Sequence, residues 1–445
     1  MSPSFYVLTV APGRFDSAEI VVSRLVKHSA GRSLTPVRPN QYVLSRAALL
    51  EIRAGRSDAE VLKVLRRIPG VTAVRRLRGD EVAELLRTRP SVPPARNFDR
   101  PRKPWKAGKH AWNLDAVKLP EAWRAYREKS DAQPLPEIRI GHIDTGYTEH
   151  EVLGPWRAHH SPVVRADLGI NFIDDDLSSP MDPLRPAGNP GHGTRTMAIL
   201  TGKNEAIGFY GAAPGVTVVP YRITESVLIN QKYLDQAIRH AIDDNGCDVI
   251  SISLGDPCLP VSEVTRALDH AYARGVIVVA AAGNVTSEVT YPARYSRTIG
   301  AGGITHKGSK LLPWTGSSRG IYVDICAPAD DIYRADVKLD GNGDYVYGYA
   351  PGGDGTSYAT VHVSGTAALW IAYHGRGYLR DRYEHGWQIV AAFFRLMQET
   401  ASVPEGWDTH LYGAGILNAE ALLNAELPAP GELRPDFFEA SETTR

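Results

Sequence analysis

The apolar and polar positions of this chain change rhythm once along its length. Over the first eighty residues, short alternating segments and short helical stripes take turns. SFYVLTV opens as a strand, Ala18 to Lys27 carries apolar residues at helical spacing, and QYVLS at Gln41 to Ser45 alternates again. Ser57 with Glu60 fits a capping box for a helix holding Val61, Leu62, Val64 and Leu65. Gly70 stops that helix before VTAVRRL, a last strand. Strand, helix, strand, strand, helix, strand is the order of a split βαβ unit, so residues 1–80 are expected to form a small ferredoxin-like α+β domain. Residues 81–110 then concentrate proline and basic side chains without periodicity, in RTRPSVPPARNFDRPRKPWKAG, the composition of an exposed linker.

From about Trp112 onward, apolar strands alternate with helices. IRIGHI at Ile138 to Ile143 is a buried strand ending at Asp144. A helical stretch at Gln236 to Asp244 feeds VISISL at Val249 to Leu254, and another at Val264 to Ala273 ends at Gly275 and feeds VIVVAAA. Continuous apolar strands separated by helices predict an α/β fold: a doubly wound, mostly parallel sheet flanked by helices over residues 111–425. A long helix is expected to start near Ser357, and Ile389 to Met397 supplies another amphipathic stretch. Residues 426–445, rich in Pro, Glu and Ser, are expected to be a loose tail.

Composition narrows the function classes. With 445 residues, 43% hydrophobic and 22% charged, and 50 Lys+Arg against 50 Asp+Glu, the chain reads as globular with two folded units. A formal net charge of +0 argues against nucleic acid or a membrane surface as principal partner. MSPSFYVLTVAPGRF has neither a basic leader nor a long apolar stretch, and no segment supplies roughly 18 consecutive apolar residues. Three cysteines, Cys247, Cys258 and Cys326, form no disulfide framework. A soluble, cytoplasmic protein is expected, with export that leaves no N-terminal signature kept open.

Candidate chemistry sits in three strings: HIDTGYTEH around Asp144, NPGHGTRTMAIL around His192, and DGTSYATVHVSGTAAL around Ser357. Each alone has an ordinary reading. D-T-G also marks aspartic proteases, but those need a second such carboxylate; this chain has no second D-T-G or D-S-G, although a homodimer could supply one. A glycine-flanked histidine is a common loop residue, and G-T-S at a helix start is a common N-cap. Together they form an acid after a buried strand, a histidine opening an apolar helix and a serine opening another. A serine hydroxyl is a weak nucleophile, and an imidazole oriented by a carboxylate is what activates it. In this chain order the motifs D-T-G, G-H-G-T and G-T-S-x-A-T-x-H-V-S-G resemble those of the subtilisin-like serine proteases, the subtilase family.

That resemblance implies further roles. Asn284, in VVAAAGNV, would donate to the oxyanion, where the bland reading is a turn asparagine. Ser253, Leu254 and Gly255 in SISLG would form one substrate-binding wall, with Ala282 and Gly283 in AAAG opposite and Thr290 near the pocket floor. Glu288 reads either as a selector of a basic residue before the scissile bond or as a solvated loop carboxylate. No cofactor is implied for catalysis and no metal ligands are assigned. The structural calcium common in extracellular relatives is in doubt, because H-E-V-L at His150 to Leu153 replaces the usual H-P-D-L, and DGNGD at Asp340 to Asp344 reads as a β-turn. The N-terminal domain, with IPGVTAVRRLR at Ile68 to Arg78, resembles the inhibitory propeptide, which makes it an intramolecular inhibitor; the alternative is a permanently attached binding module. The expected function is a serine endopeptidase acting on protein or peptide substrates, self-processed within the linker. Two rivals remain: a peptide macrocyclase or transpeptidase using the same acyl-enzyme, and an inactive peptide-binding scaffold.

The resemblance also marks departures. Val361 stands where proline is usual, and Tyr358 follows the nucleophile where methionine is usual, so the expected ring would narrow the leaving-group side. With no thioether at that position to become a sulfoxide, activity is expected to outlast that of a methionine-bearing relative in dilute hydrogen peroxide, measured as residual peptidase activity against time.

Overall fold

The computed structural model describes residues 5–10, 34–38, 41–44, 57–68, 71–77, 96–97, 111–129, 131–154, 163–174, 180–186, 188–227, 231–257, 261–284 and 287–435. The chain forms two compact units, one built mainly from residues 1–93 and the other from residues 94–184 and 189–445.

The first unit has strands β1 (Phe5–Val10), β2 (Leu34–Arg38) and β3 (Gln41–Leu44), helix α1 (Asp58–Leu65) and strand β4 (Val71–Leu77). Its sheet runs β2-β3-β1-β4 with every neighbouring pair antiparallel, the order that a split βαβ unit produces. The capping box is present: Ser57 Oγ accepts from the Glu60 N–H, and the Ser57 N–H donates to Glu60 Oε2 at 2.7 Å. Tyr6 and Leu8, two apart on β1, and Val61 and Leu65, one turn apart on α1, are buried. The helix expected at Ala18 to Lys27 lies outside the described residues.

In the second unit the elements follow in order: β5 (Arg96–Asn97), α2 (Trp112–Ala116), α3 (Leu119–Glu128), β6 (Arg139–Asp144), β7 (Ile170–Asn171), α4 (His192–Thr201), β8 (Lys203–Asn204), β9 (Phe209–Tyr210) and β10 (Thr217–Arg222). After them come α5 (Leu234–Asp243), β11 (Val249–Ile252), α6 (Ser262–Arg274), β12 (Ile277–Ala281), β13 (Ile299–Lys307), β14 (Lys310–Pro313) and β15 (Ile325–Pro328). The hairpin β16 (Ile332–Leu339) and β17 (Tyr345–Gly353) leads into α7 (Thr356–His374), and α8 (Gly386–Glu399) closes the core. The segment expected to be bare linker contributes β5, which pairs in parallel with β17.

The main sheet runs β14-β13-β12-β11-β6-β10-β7, with β15 also beside β13; its pairs are parallel apart from β13 with β14. Strands β10, β11 and β12 are buried at every position, as a sheet covered on both faces requires. Alternation along β6 shows both covers. A Cβ on Gly141 would lie 3.0 Å from Ala241 on α5, whereas His142 on the opposite face bonds Thr196 on α4. Helix α7 is buried at every position from Thr356 to Ala372, so it serves as a central rod of the core.

Two polar groups tie this core together. His362 on α7 donates from Nδ1 to the Tyr358 carbonyl at 2.6 Å and accepts at Nε2 from Asn113 on α2 at 3.0 Å. His142 Nε2 lies 3.0 Å from Thr196 Oγ1. Burial lowers the pKa of each imidazole to about 4; for His142 the Asp144 charge partly opposes this. In the unfolded chain these imidazoles take a proton below about pH 6.5, whereas the folded chain refuses it until about pH 4. Their stabilisation is therefore complete above pH 6.5 and is lost as pH falls toward 4, by at most on the order of 3 kcal/mol for each. Urea-unfolding midpoints are expected to drop across this window, and His142→Val should flatten the slope.

Candidate active site

The carboxyl ends of parallel strands open a crevice beyond the sheet, and there β6 delivers Asp144. Its carboxylate is fully buried, and three donors meet it. Oδ1 accepts from the Thr145 N–H at 2.6 Å and from His192 Nδ1 at 2.8 Å, and Oδ2 accepts from the Thr196 hydroxyl at 3.2 Å. Burial alone would raise the carboxyl pKa; the His192 ring, its hydrogen bond and the Thr145 N–H outweigh burial and hold it below the ordinary value. With Asp144 ionised, the His192 proton sits on Nδ1. That leaves the Nε2 lone pair facing Ser357 Oγ at 3.1 Å.

The G-H-G-T string is explained by crowding around this ring. Gly191 caps α4 with φ of 73°, in the left-handed region, and a Cβ on Gly193 would sit 1.9 Å from the Gly146 carbonyl oxygen. The loop is also clamped from below. Asp182 Oδ2 accepts from the Gly191 N–H at 2.7 Å and from Thr145 Oγ1 at 3.1 Å, while Thr145 Oγ1 accepts from the Gly193 N–H at 3.0 Å. Burial raises the Asp182 pKa despite the nearby Arg222 guanidinium.

Ser357 is the second residue of α7, where backbone N–H groups lack intrahelical acceptors and the helix dipole is positive. Its hydroxyl has a second acceptor, the Ser253 carbonyl at 3.1 Å, and Ser253 Oγ donates in return to the Ser357 carbonyl at 3.1 Å. Asn284 is exposed just beyond β12. Its Oδ1 accepts from both the N–H and the hydroxyl of Thr356, each at 2.8 Å, which fixes the amide and leaves Nδ2 as the outward donor. The structure thus brings Asp144, His192, Ser357 and Asn284 to one edge of the sheet.

The expected substrate walls lie beside them. Ser253, Leu254 and Gly255 continue past β11, and Ala282 and Gly283 past β12. The Leu254 side chain is in the core, and Ala282 uses its N–H on the Ala301 carbonyl and its carbonyl on the Thr290 N–H. Thr290 is buried and Glu288 is exposed. The Tyr358 ring is buried, in contact distance of the place a Cβ on Gly353 would take, so it fills space beneath the β16–β17 hairpin. That hairpin lies against the start of α4, with Arg195 Nη1 3.3 Å from Asp336 Oδ1. DGNGD is its turn: the Asn342 and Asp344 N–H groups both donate to the Asp340 carboxylate. Among the described residues no group of three or more His, Cys, Asp or Glu is arranged to hold a metal ion, and no helix is long and apolar enough to cross a membrane.

Sequence reasoning missed Thr145, Asp182, Thr196 and Thr356. Thr196 was accessible in principle, since it stands four residues after His192 on the same helix face. Asp182 lies in an aperiodic loop ten residues upstream, and nothing local distinguishes it from a solvated carboxylate.

A serine at a helix start, within reach of an imidazole backed by a buried carboxylate at the edge of a parallel sheet, is the wiring of a serine hydrolase. The sequence profile of the subtilase family of peptidases matches residues 136–415, and the chain belongs to that family of serine peptidases. Subtilisin BL from Lederbergia lenta is 27% identical over 314 residues, 70% of this chain and 97% of the relative. Subtilisin E from Bacillus subtilis (strain 168) is 30% identical over 269 residues, 57% of this chain and 61% of the relative. Among solved structures, MycP1 with its N-terminal propeptide removed shares the fold at a TM-score of 0.52 and 23% identity, covering 71% of this chain and 98% of that one. The fold is therefore subtilisin-like, and subtilases need no cofactor for catalysis.

Replacing Thr196 by valine removes one donor from Asp144 and the partner of His142 Nε2 while keeping the shape of the side chain. Turnover is expected to fall about tenfold with little change in KM, because one hydrogen bond to a charged group is worth about 1.5–3 kcal/mol. Steady-state kinetics and a thermal melt on the same sample check this.

Proposed function

We propose that this protein is a serine endopeptidase in which Ser357 is the nucleophile, His192 the general base and acid, Asp144 the group that orients and stabilises the imidazolium, and Asn284 the oxyanion donor. The observation that carries the reading is the continuous path from Asp144 Oδ1 through His192 to Ser357 Oγ, with links of 2.8 Å and 3.1 Å. As Ser357 Oγ attacks the scissile carbonyl, its proton passes to His192 Nε2, and negative charge moves to the carbonyl oxygen. Asn284 Nδ2 and the Ser357 N–H are preorganised for that oxygen, and the orientation of the amide is already set by the Thr356 bonds. Collapse expels the amine with the His192 proton and leaves an acyl-enzyme on Ser357. Water, deprotonated by the same imidazole, then releases the acid.

The substrate is a protein or peptide, entering along the chain segments that follow β11 and β12. The N-terminal unit, with its split βαβ strand order, acts in this reading as an intramolecular inhibitor, separated from the catalytic domain by processing within residues 81–110. No cofactor takes part in any step.

A fluorophosphonate probe is expected to label the wild type and not Ser357→Ala, and the summed mass of the two peptide products should exceed that of the substrate by one water; labelling that survives Ser357→Ala would refute the nucleophile assignment. Asn284→Ala is expected to lower kcat about a hundredfold or more. It should also lower the melting temperature slightly, because two Thr356 donors lose their acceptor.

A further inference from the structure

The substrate residue that supplies the reacting carbonyl must enter where the machinery points. Ser357 Oγ is 3.1 Å from the Ser253 carbonyl on one side, and Asn284, which follows Gly283, stands on the other. With its carbonyl carbon at Ser357 and its oxygen toward Asn284, that residue sends its side chain into the gap between the segment after β11 and the segment after β12. Gly255 and Gly283 line this gap from opposite sides.

Thr290 occupies it. A Cβ on Gly255 would lie 2.3 Å from Thr290 Oγ1 and 2.9 Å from its Cβ, and a Cβ on Gly283 would lie 3.0 Å from Thr290 Cγ2. The threonine side chain therefore stands between the two glycines, its hydroxyl nearest Gly255 while it bonds the Ala281 and Ala282 carbonyls, and its methyl nearest Gly283. It is only 5% exposed, so little open space stands over it. Its backbone cannot withdraw easily. The Thr290 N–H donates to the Ala282 carbonyl at 2.8 Å, and Tyr291 and Asp256 exchange two backbone hydrogen bonds of 2.8 Å, so the floor is fastened to both walls. Rotating the side chain away would break the hydroxyl's bonds to the Ala281 and Ala282 carbonyls, at 3.3 and 3.2 Å, inside the core.

We propose that Thr290 truncates the primary specificity pocket, so that this peptidase cleaves after small residues, glycine, alanine or serine, and rejects large apolar, aromatic and long basic side chains there. The inference rests on the protease reading above and adds its substrate class. A methyl or hydroxymethyl group demands least of this gap, whereas a phenyl ring or an isobutyl group would overlap Thr290 before the carbonyl reached Ser357. It also disfavours the reading in which Glu288 selects a basic residue, because a lysine stem would have to pass the same obstruction.

The test uses the full-length protein with a matched peptide series differing only in the residue before the scissile bond: Gly, Ala, Ser, Leu, Phe and Lys. Each sample is first labelled with a fluorophosphonate to count reactive Ser357. The expected wild-type profile has kcat/KM for Ala at least about a hundredfold above Phe and Leu, in keeping with the size discrimination that a closed apolar slot gives. Thr290→Gly is expected to narrow that ratio tenfold or more, chiefly by raising cleavage after Leu and Phe. Thr290→Ser keeps the hydroxyl and loses only the methyl, so it should fold where the glycine variant does not, and it should narrow the ratio to a smaller extent. Labelled Ser357 with cleavage after Phe or Lys as fast as after Ala, or an unchanged profile in both variants, would overturn the pocket inference alone. Absence of Ser357 labelling and of cleavage anywhere in the series, both in the full-length protein and after limited proteolysis within residues 81–110 has released the N-terminal unit, would overturn the protease reading and the pocket inference with it.

Discussion

A buried carboxylate governs the organisation of this molecule. Asp144 has no exposed surface, and an ionised group in such a place is costly unless donors surround it. The backbone of Thr145, the hydroxyl of Thr196 and the ring of His192 meet that requirement from three directions. Each partner must in turn be held. Thr145 and Gly191 both donate to Asp182, Gly193 donates to Thr145, and Arg222, itself buried at the end of β10, donates to the Thr145 carbonyl and lies within 4.0 Å of Asp182. Opposite charges are thus interleaved beneath the crevice, and the position of the imidazole follows from where the first negative charge is buried.

The long central helix carries the other half of the arrangement. Its first turn holds Ser357, and Thr356 beside it fixes Asn284 and Gly283, so the end of β12 and the start of α7 form one rigid corner. Just before it, Asp354 and Gly355 connect this corner to the β16–β17 hairpin. Close packing there is tight enough that the Tyr358 ring, expected from sequence to crowd the leaving-group side, is drawn under the hairpin instead.

Those elements with strong local signals were legible from the residues alone. The Ser57 to Glu60 capping box, the strand ending at Asp144, the helix stop at Gly275 and the helix beginning beside Ser357 all depend on chain-local chemistry. The three motif strings were legible for the same reason, each being a short run whose glycines answer a close approach. What could not be read was anything that depends on distant partners. Asp182 acquires its function only when β6 and the start of α4 fold over it, and the reciprocal bonds between Ser253 and Ser357 join residues 104 positions apart. The surroundings of Thr290 were hidden similarly: the family resemblance implied a place near a pocket floor, but that its side chain stands between Gly255 and Gly283 depends on the spacing of two distant segments. β5 was missed because two residues show no period.

Sulfur offers a last consequence. Cys247 and Cys326 are both buried thiols, and burial pushes each well above the ordinary thiol range, so neither presents a thiolate to solvent. Cys326 lies in β15 with its Sγ 3.3 Å from the Tyr412 carbonyl, and Cys247 sits at the entry to β11 beneath Gly141. Mixed-disulfide exchange starts from an accessible thiolate, and glutathione or an oxidant in the surroundings would meet none at these two positions. Both sulfurs behave as small apolar filler, and the catalytic domain's sheet is insulated there from the redox poise of whatever medium it works in.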